Sequence, residues 1–173
     1  MAERQDQSGL TARSAQKKPA SGVSDEDRFA RFGQSGVLLG LDLGTKTIGI
    51  AVCDPERMVA APVETLRRRK FTVDIQSLIE IATSRKAVGF VMGLPLNMDG
   101  TEGPRAQSSR AFVRNAEKTT DLPFAFWDER LSTQAMEREL IALDTSRANR
   151  SEKIDALAAT FILQGAIDRW RRT

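Results

Sequence analysis

Residues 37–53 read VLLGLDLGTKTIGIAVC, and this stretch decides the fold class. Its first seven residues form a nearly continuous apolar run, which is typical of a strand covered on both faces. Residues 44–46 predict a turn and residues 47–53 a second strand, so the stretch predicts a β-hairpin. One residue interrupts the apolar pattern, because Asp42 lies between Leu41 and Leu43.

The rest of the chain predicts further strands alternating with helices. Further strands are predicted at 58–66, 87–92 and 124–127. Apolar spacing and helix-start signals predict helices at 71–85, 104–119, 132–143 and 151–172. The order β-β-β-α-β-α-β-α-α indicates an α/β fold with one mixed five-stranded sheet. That sheet combines a three-strand meander with parallel strands and carries helices on both faces.

The chain divides into a tail and a domain. Residues 1–36 are rich in Ser, Gln, Gly and charge and have few large apolar residues. Such a composition predicts a disordered tail, in which Phe29 and Phe32 could form a short amphipathic turn. The folded domain is therefore expected to span 37–173.

The composition excludes several kinds of catalytic site. The chain has no His, no Tyr and one Cys, which rules out His-based triads and zinc sites built from His or several Cys. If the chain is an enzyme, its catalysis must then use carboxylates, Lys, Ser or Thr, backbone amides, or metal ions held by oxygen ligands. No apolar run is long enough to span a membrane and the N-terminus lacks a secretory signal, so a cytoplasmic protein without a membrane partner is expected.

Three acidic positions stand out against this background. Asp42 lies inside an apolar strand, Asp128-Glu129 follows a short strand, and Asp155 lies in the first turn of the last helix. Each has a structural alternative, namely capping of the hairpin turn, capping of a helix, or a favourable charge at a helix N-terminus. Together they could converge on one or two Mg²⁺ or Mn²⁺ ions, which take oxygen ligands and need no His.

Four motifs resemble those of the YqgF family, a group within the ribonuclease H-like superfamily that is described as Holliday-junction-resolvase-like and as candidate pre-16S rRNA nucleases. The motifs are GLDLGTKTIGIAVCD (40–54), GLPLNMDGTEGPRAQ (93–107), DERLSTQ (128–134) and KIDALAATFILQ (153–164). The resemblance implies a ribonuclease H-like fold and metal-dependent hydrolysis of nucleic-acid phosphodiesters. It also implies that Asp42, Glu129 and Asp155 are the catalytic and metal-binding carboxylates.

Other polar residues near these motifs suit a substrate groove. The candidates for contacts to a nucleic-acid backbone are Lys46, Asn97, Arg105, Arg110, Arg130 and Lys153. The segment Arg67-Arg68-Arg69-Lys70 stays open between a substrate contact and a solvated surface.

These inferences predict a nuclease that processes the 5′ end of the 16S rRNA precursor. A resolvase of branched DNA and a nucleic-acid-binding factor with little catalysis remain as alternatives. The Asp-Leu-Gly-Thr stretch at 42–45 also resembles a phosphate loop of actin-like ATPases, but a domain spanning 37–173 is too short for their two-domain architecture. The chain is expected to act as a monomer or weak homodimer.

Overall fold

The computed structural model describes residues 25–131 and 150–172. The strands are β1 (Leu38–Leu43), β2 (Thr47–Cys53), β3 (Ala60–Arg67), β4 (Gly89–Leu94) and β5 (Phe124–Asp128). The helices are α1 (Asp25–Ala30), α2 (Phe71–Ser84), α3 (Pro104–Ala116) and α4 (Arg150–Trp170), with a short 3₁₀ helix at Glu129–Leu131. The helix predicted at 132–143 lies outside the described residues.

The strands form one mixed sheet in the order β3-β2-β1-β4-β5. β1 and β3 each pair with β2 in the antiparallel sense, and β4 pairs with both β1 and β5 in the parallel sense. The meander and the parallel strands are therefore confirmed. Because β1 is central and buried on both faces, its sequence is apolar almost throughout.

Side-chain alternation along β1 divides the core into two layers. Leu39, Leu41 and Leu43 pack with α2 and α3 on one face of the sheet. Leu38 packs on the other face with apolar residues of α4, among them Leu163. Since successive residues of a strand point to opposite faces, Asp42 shares the α4 face with Leu38. The prediction of helices on both faces is confirmed.

Residues 28–36, which precede the domain boundary predicted at Val37, pack on the domain. Phe32 is buried and stacks on Trp170 of α4, and the α1 residue Phe29 contacts the same ring edge-on. The buried Arg57 donates hydrogen bonds to the carbonyl groups of residues 32, 33, 35 and 36 and lies over the Trp170 ring. These contacts offset the conformational-entropy cost of ordering residues 28–36, which the few apolar residues of that segment could not offset alone. Residues 1–24 lie outside the described part.

In the described residues, no helix combines the length and the apolar character that crossing a membrane requires.

Candidate active site

Asp42 lies in a row of residues that crosses the sheet beneath α4. Its antiparallel partner on β2 is Gly49. On the other side, the parallel register pairs Leu41 with Met92, which places Gly93 of β4 beside Asp42. Asp42 is thus flanked by two residues that have no side chain, and this leaves space on both sides of its carboxylate.

The backbone of α4 occupies the space over Gly49. A Cβ built at Gly49 would overlap the carbonyl oxygen of Asp155. Gly40 plays a similar part farther along β1, where a Cβ would lie 2.7 Å from the Ala159 carbonyl oxygen. The two glycines therefore let the first turns of α4 lie directly on the sheet, and this places Asp155 next to Asp42.

The side chain of Glu129 occupies the space over Gly93. A Cβ at Gly93 would overlap the Oε1 atom of Glu129 and the Ile162 side chain of α4. Glu129 begins the 3₁₀ helix directly after β5, and Gly93 pairs with Trp127 of that strand. The end of β5 therefore turns the Glu129 carboxylate back over β4, towards Asp42.

The pKa values of Asp42 and Glu129 are both raised in this buried, acidic environment. Burial raises the pKa of Asp42 to about 6, while the Arg105 charge opposes the rise and the Asp155 charge adds to it. Burial likewise raises the pKa of Glu129 to about 7, and the Asp42 charge contributes to that increase. Asp42 is therefore a neighbour of both Asp155 and Glu129, and its charge interacts unfavourably with each of them.

Among the described residues, Arg105 is the cation whose charge acts on both Asp42 and Glu129. It lies exposed in the first turn of α3. Its charge lowers the pKa of both Asp42 and Glu129. Among the predicted substrate-binding residues whose side chains the structure describes, Arg105 is the one whose charge acts on Asp42 and Glu129.

Two other predicted contacts hold the loop between β4 and α3. The Asn97 side-chain amide donates to the Thr101 hydroxyl at 2.8 Å, so it stabilises its own loop. Arg130 donates to both carboxylate oxygens of Asp128, the shortest bond being 2.6 Å, and to the Met98 carbonyl oxygen at 3.3 Å. Asp128 thereby positions Arg130, and Arg130 connects the loop to the end of β5.

The remaining predicted contacts lie in different settings. Arg110 forms an ion pair with Glu102 and lies 4.8 Å from the centre of the Phe126 ring. Lys46 is exposed in the turn after β1. The side chain of Lys153 lies outside the described residues.

The donor chemistry of the cluster fits a hard divalent cation. Carboxylate oxygens are the ligands that Mg²⁺ and Mn²⁺ prefer. Burial and the neighbouring acidic charges both disfavour ionised Asp42 and Glu129, and a bound cation would favour the ionised forms. Within 25–131 and 150–172, however, no three His, Cys, Asp or Glu side chains form a ready-made metal cluster. The carboxylates are therefore neighbours, but they are not arranged in a metal-binding geometry.

Sequence reasoning missed the contribution of Gly49 and Gly93. A glycine inside an otherwise apolar strand signals a close backbone approach, and both positions carry that signal. A glycine in a strand does not, however, indicate which group approaches it. The partners are more than 30 positions away along the chain for Gly93 and more than 100 for Gly49.

Comparison with known proteins identifies the family. The family model described as "RuvX: Holliday junction resolvase" matches residues 36–169, which include all three carboxylates. The chain belongs to the RuvX family. This match confirms the resemblance on which the carboxylate assignments were based.

Curated relatives of this family are close in sequence. A protein of Bradyrhizobium sp. strain BTAi1, named "Putative pre-16S rRNA nuclease", is 62% identical over 140 residues, covering 81% of this chain and 87% of the relative. A protein of the same name from Nitrobacter hamburgensis is 60% identical over 151 residues, covering 87% and 93%.

Solved structures show the same fold at low identity. The RuvC protein of T. thermophilus, in complex with a Holliday junction substrate, matches with a TM-score of 0.54 at 17% identity. The match covers 80% of this chain and 97% of RuvC. At this identity the likeness supports the ribonuclease H-like fold, which is the fold class predicted from the sequence.

Proposed function

We propose that this chain is a metal-dependent nuclease that hydrolyses phosphodiesters in the 5′ region of the 16S rRNA precursor. The observation that carries the proposal is the position of Asp42, between two glycines whose free space is filled by the Asp155 backbone and the Glu129 carboxylate. Three carboxylates around one strand end form an anionic centre that cannot approach a phosphodiester unless a cation intervenes.

Each residue has a role that follows from its place in this centre. Asp42, Glu129 and Asp155 would supply oxygen ligands to one or two Mg²⁺ or Mn²⁺ ions. Such ions, when bound, activate water and stabilise the leaving oxygen in phosphodiester hydrolysis. Arg105 lies exposed at the start of α3 and would bind a phosphate oxygen beside the carboxylates.

The names of the relatives support RNA as the substrate. Two proteins about 60% identical to this chain are named for pre-16S rRNA cleavage. The family description supports a second candidate, which is cleavage of a four-way DNA junction. An rRNA-processing role would place the chain in the cytoplasm, and a monomer or weak homodimer remains the expected state.

A parallel cleavage assay tests the proposal. The unmodified chain is incubated with end-labelled 16S rRNA precursor and with a labelled four-way DNA junction, each in Mg²⁺, in Mn²⁺ and in EDTA. Metal-dependent cleavage near the 5′ end of the precursor, with little cleavage of the junction, is the expected result. Preferential junction cleavage would favour the second candidate. Tight binding without cleavage of either substrate would contradict a nuclease and indicate a binding factor.

A further inference from the structure

A run of four basic residues, Arg67-Arg68-Arg69-Lys70, connects β3 to α2, and we refer to it as the basic segment. We propose that the basic segment, together with Lys46, binds nucleic-acid backbone phosphates on the β3 side of the active site. The inference rests on the proposed function in one respect, namely that the ligand is the nuclease substrate. The residues that carry it are separate from the carboxylates and from Arg105.

The basic segment lies at the same end of the sheet as Asp42. β3 and β1 both pair with β2 in the antiparallel sense, so they run in the same direction and end at the same edge. In the register, Arg67 pairs with Thr47, which begins β2 just after the turn that follows Asp42. Two strand spacings of about 4.8 Å place β3 roughly 10 Å from β1.

Hydrogen bonds fix the segment against the turn. The Arg68 guanidinium donates to the Gly44 carbonyl oxygen at 2.9 Å, and the Arg68 amide donates to the Lys46 carbonyl oxygen at 2.8 Å. Arg68 is therefore used internally, and it joins the basic segment to the hairpin that carries Asp42. Lys46 becomes part of the same surface through this contact.

A buried carboxylate holds the other end of the segment. Asp74 of α2 is 3% exposed, and its Oδ1 atom accepts from the Arg69 amide at 2.9 Å. The Asp74 amide in turn donates to the Lys70 carbonyl oxygen at 3.1 Å. The backbone of Arg69 and Lys70 is thus ordered before any ligand binds, which lowers the entropy cost of using their side chains for recognition.

The side chains themselves are available to a ligand. Lys46, Arg69 and Lys70 are all exposed. Among the ion pairs of the described residues, none includes these three side chains. An exposed, ordered group of cations without carboxylate partners is suited to a polyanion and gives affinity that does not depend on base sequence.

The placement defines two sides of a substrate path. Arg105 lies on the helix that follows β4, and the basic segment lies beyond β2 on the opposite side of β1. A nucleic-acid backbone that presents one phosphodiester to Asp42 would therefore meet cations on both sides. The positive charges would then contact phosphates on either side of the reacting one, and the reacting phosphate itself would lie at the carboxylates.

A charge-matched pair of variants tests the inference. Arg69→Gln with Lys70→Gln removes two charges at the N-terminal end of α2, and Arg85→Gln with Lys86→Gln removes two exposed charges just beyond its C-terminal end. The 14 residues of α2 separate these sites by about 21 Å. Binding of a labelled RNA from the precursor 5′ region is measured by fluorescence anisotropy between about 50 and 200 mM salt.

In the first variant, the negative slope of log affinity against log salt should become less steep by about 1.4 to 1.8, which corresponds to two lost phosphate contacts. In cleavage assays it should raise KM and leave kcat nearly unchanged. The control variant should retain the slope of the unmodified chain. Equal slopes for the two variants would overturn the inference even if the unmodified chain cleaves RNA. Failure of the unmodified chain to cleave would contradict the nuclease proposal, and the slope comparison would still decide the role of the segment.

Discussion

Asp42 and Gly49 are cross-strand partners, and the Asp155 carbonyl oxygen lies where a Gly49 side chain would stand. The pairing connects a candidate catalytic carboxylate to the packing of the sheet. Because α4 approaches β2 so closely, Asp155 is brought beside Asp42 by backbone contact rather than by a long side chain. The site therefore depends on the absence of one methyl group.

Gly49→Ala should disrupt the site through α4. The new Cβ would overlap the Asp155 carbonyl oxygen, so the helix must shift, at a cost of about 1–3 kcal/mol in the free energy of unfolding. Gly40→Ala is the comparison, because its Cβ would crowd Ala159 one turn farther along the same helix. Chemical denaturation should show both variants destabilised. Cleavage by folded protein should fall much further for Gly49→Ala, and equal losses would contradict the positioning role of Gly49.

The stability of the metal-free protein should depend on the charge of Asp42. Burial raises its pKa from 3.8 to about 6, so the folded state binds the proton more tightly than the unfolded state does. Stability from this group is present below pH 4 and is lost as pH rises through about 6. Asp42→Asn should therefore gain stability relative to the unmodified chain between pH 4 and pH 8, on the order of 1–3 kcal/mol.

Urea denaturation in EDTA at pH 4 and at pH 8 measures the stability of Asp42→Asn relative to the unmodified chain. Asp121→Asn serves as the control, because Asp121 is exposed in the turn before β5. If the stability difference between Asp42→Asn and the unmodified chain is the same at both pH values, folding does not raise the pKa of Asp42.

Arg105→Gln should move the pH dependence of cleavage. Arg105 lowers the pKa of Asp42 and Glu129, so its removal raises both values, and the carboxylates ionise only at higher pH. The acidic limb of kcat/KM against pH should therefore shift to higher pH. Arg114→Gln, an exposed position on the same helix, should leave the limb unmoved. If the acidic limb of Arg105→Gln does not shift, the Arg105 charge does not influence the ionisation of the carboxylates.

Much of this architecture follows from local pattern. The apolar run at 37–43 predicts a central strand, and the order of strands and helices predicts the mixed sheet, since burial and periodicity are local properties of a sequence. The acidic positions are visible for the same reason, because Asp42 interrupts an apolar strand. The motifs add which of these positions belong together.

The remainder depends on contacts between distant parts of the chain. The composition of 1–36 indicates disorder, yet Arg57 and Trp170 hold residues 28–36 on the domain. The sequence predicts a phosphate contact for Arg110, and the structure adds an ion pair with Glu102 that the sequence does not indicate. Neither partner can be deduced from spacing, because each contact exists only after the sheet has formed.

Phe32→Ala tests the anchoring of the N-terminal segment. Phe32 is 4% exposed and its ring fills the space left by Gly89. Truncation should lower the free energy of unfolding by about 3–5 kcal/mol, as for a buried aromatic residue. Val59→Ala, at a residue 64% exposed, should change it little. Thermal denaturation compares the two, and equal effects would show that residues 28–36 do not contribute to the core.

Cleavage of the 16S rRNA precursor by four proteins tests the central claim most directly. The unmodified chain is compared with Asp42→Asn, Glu129→Gln and Asp155→Asn in Mg²⁺ and in EDTA, after circular dichroism has shown that all four are folded. The shared site predicts that cleavage requires Mg²⁺ and falls by at least about 100-fold in each variant. Cleavage that persists in EDTA, or that survives in both the Asp42→Asn and the Asp155→Asn variant, would contradict a carboxylate-held metal centre.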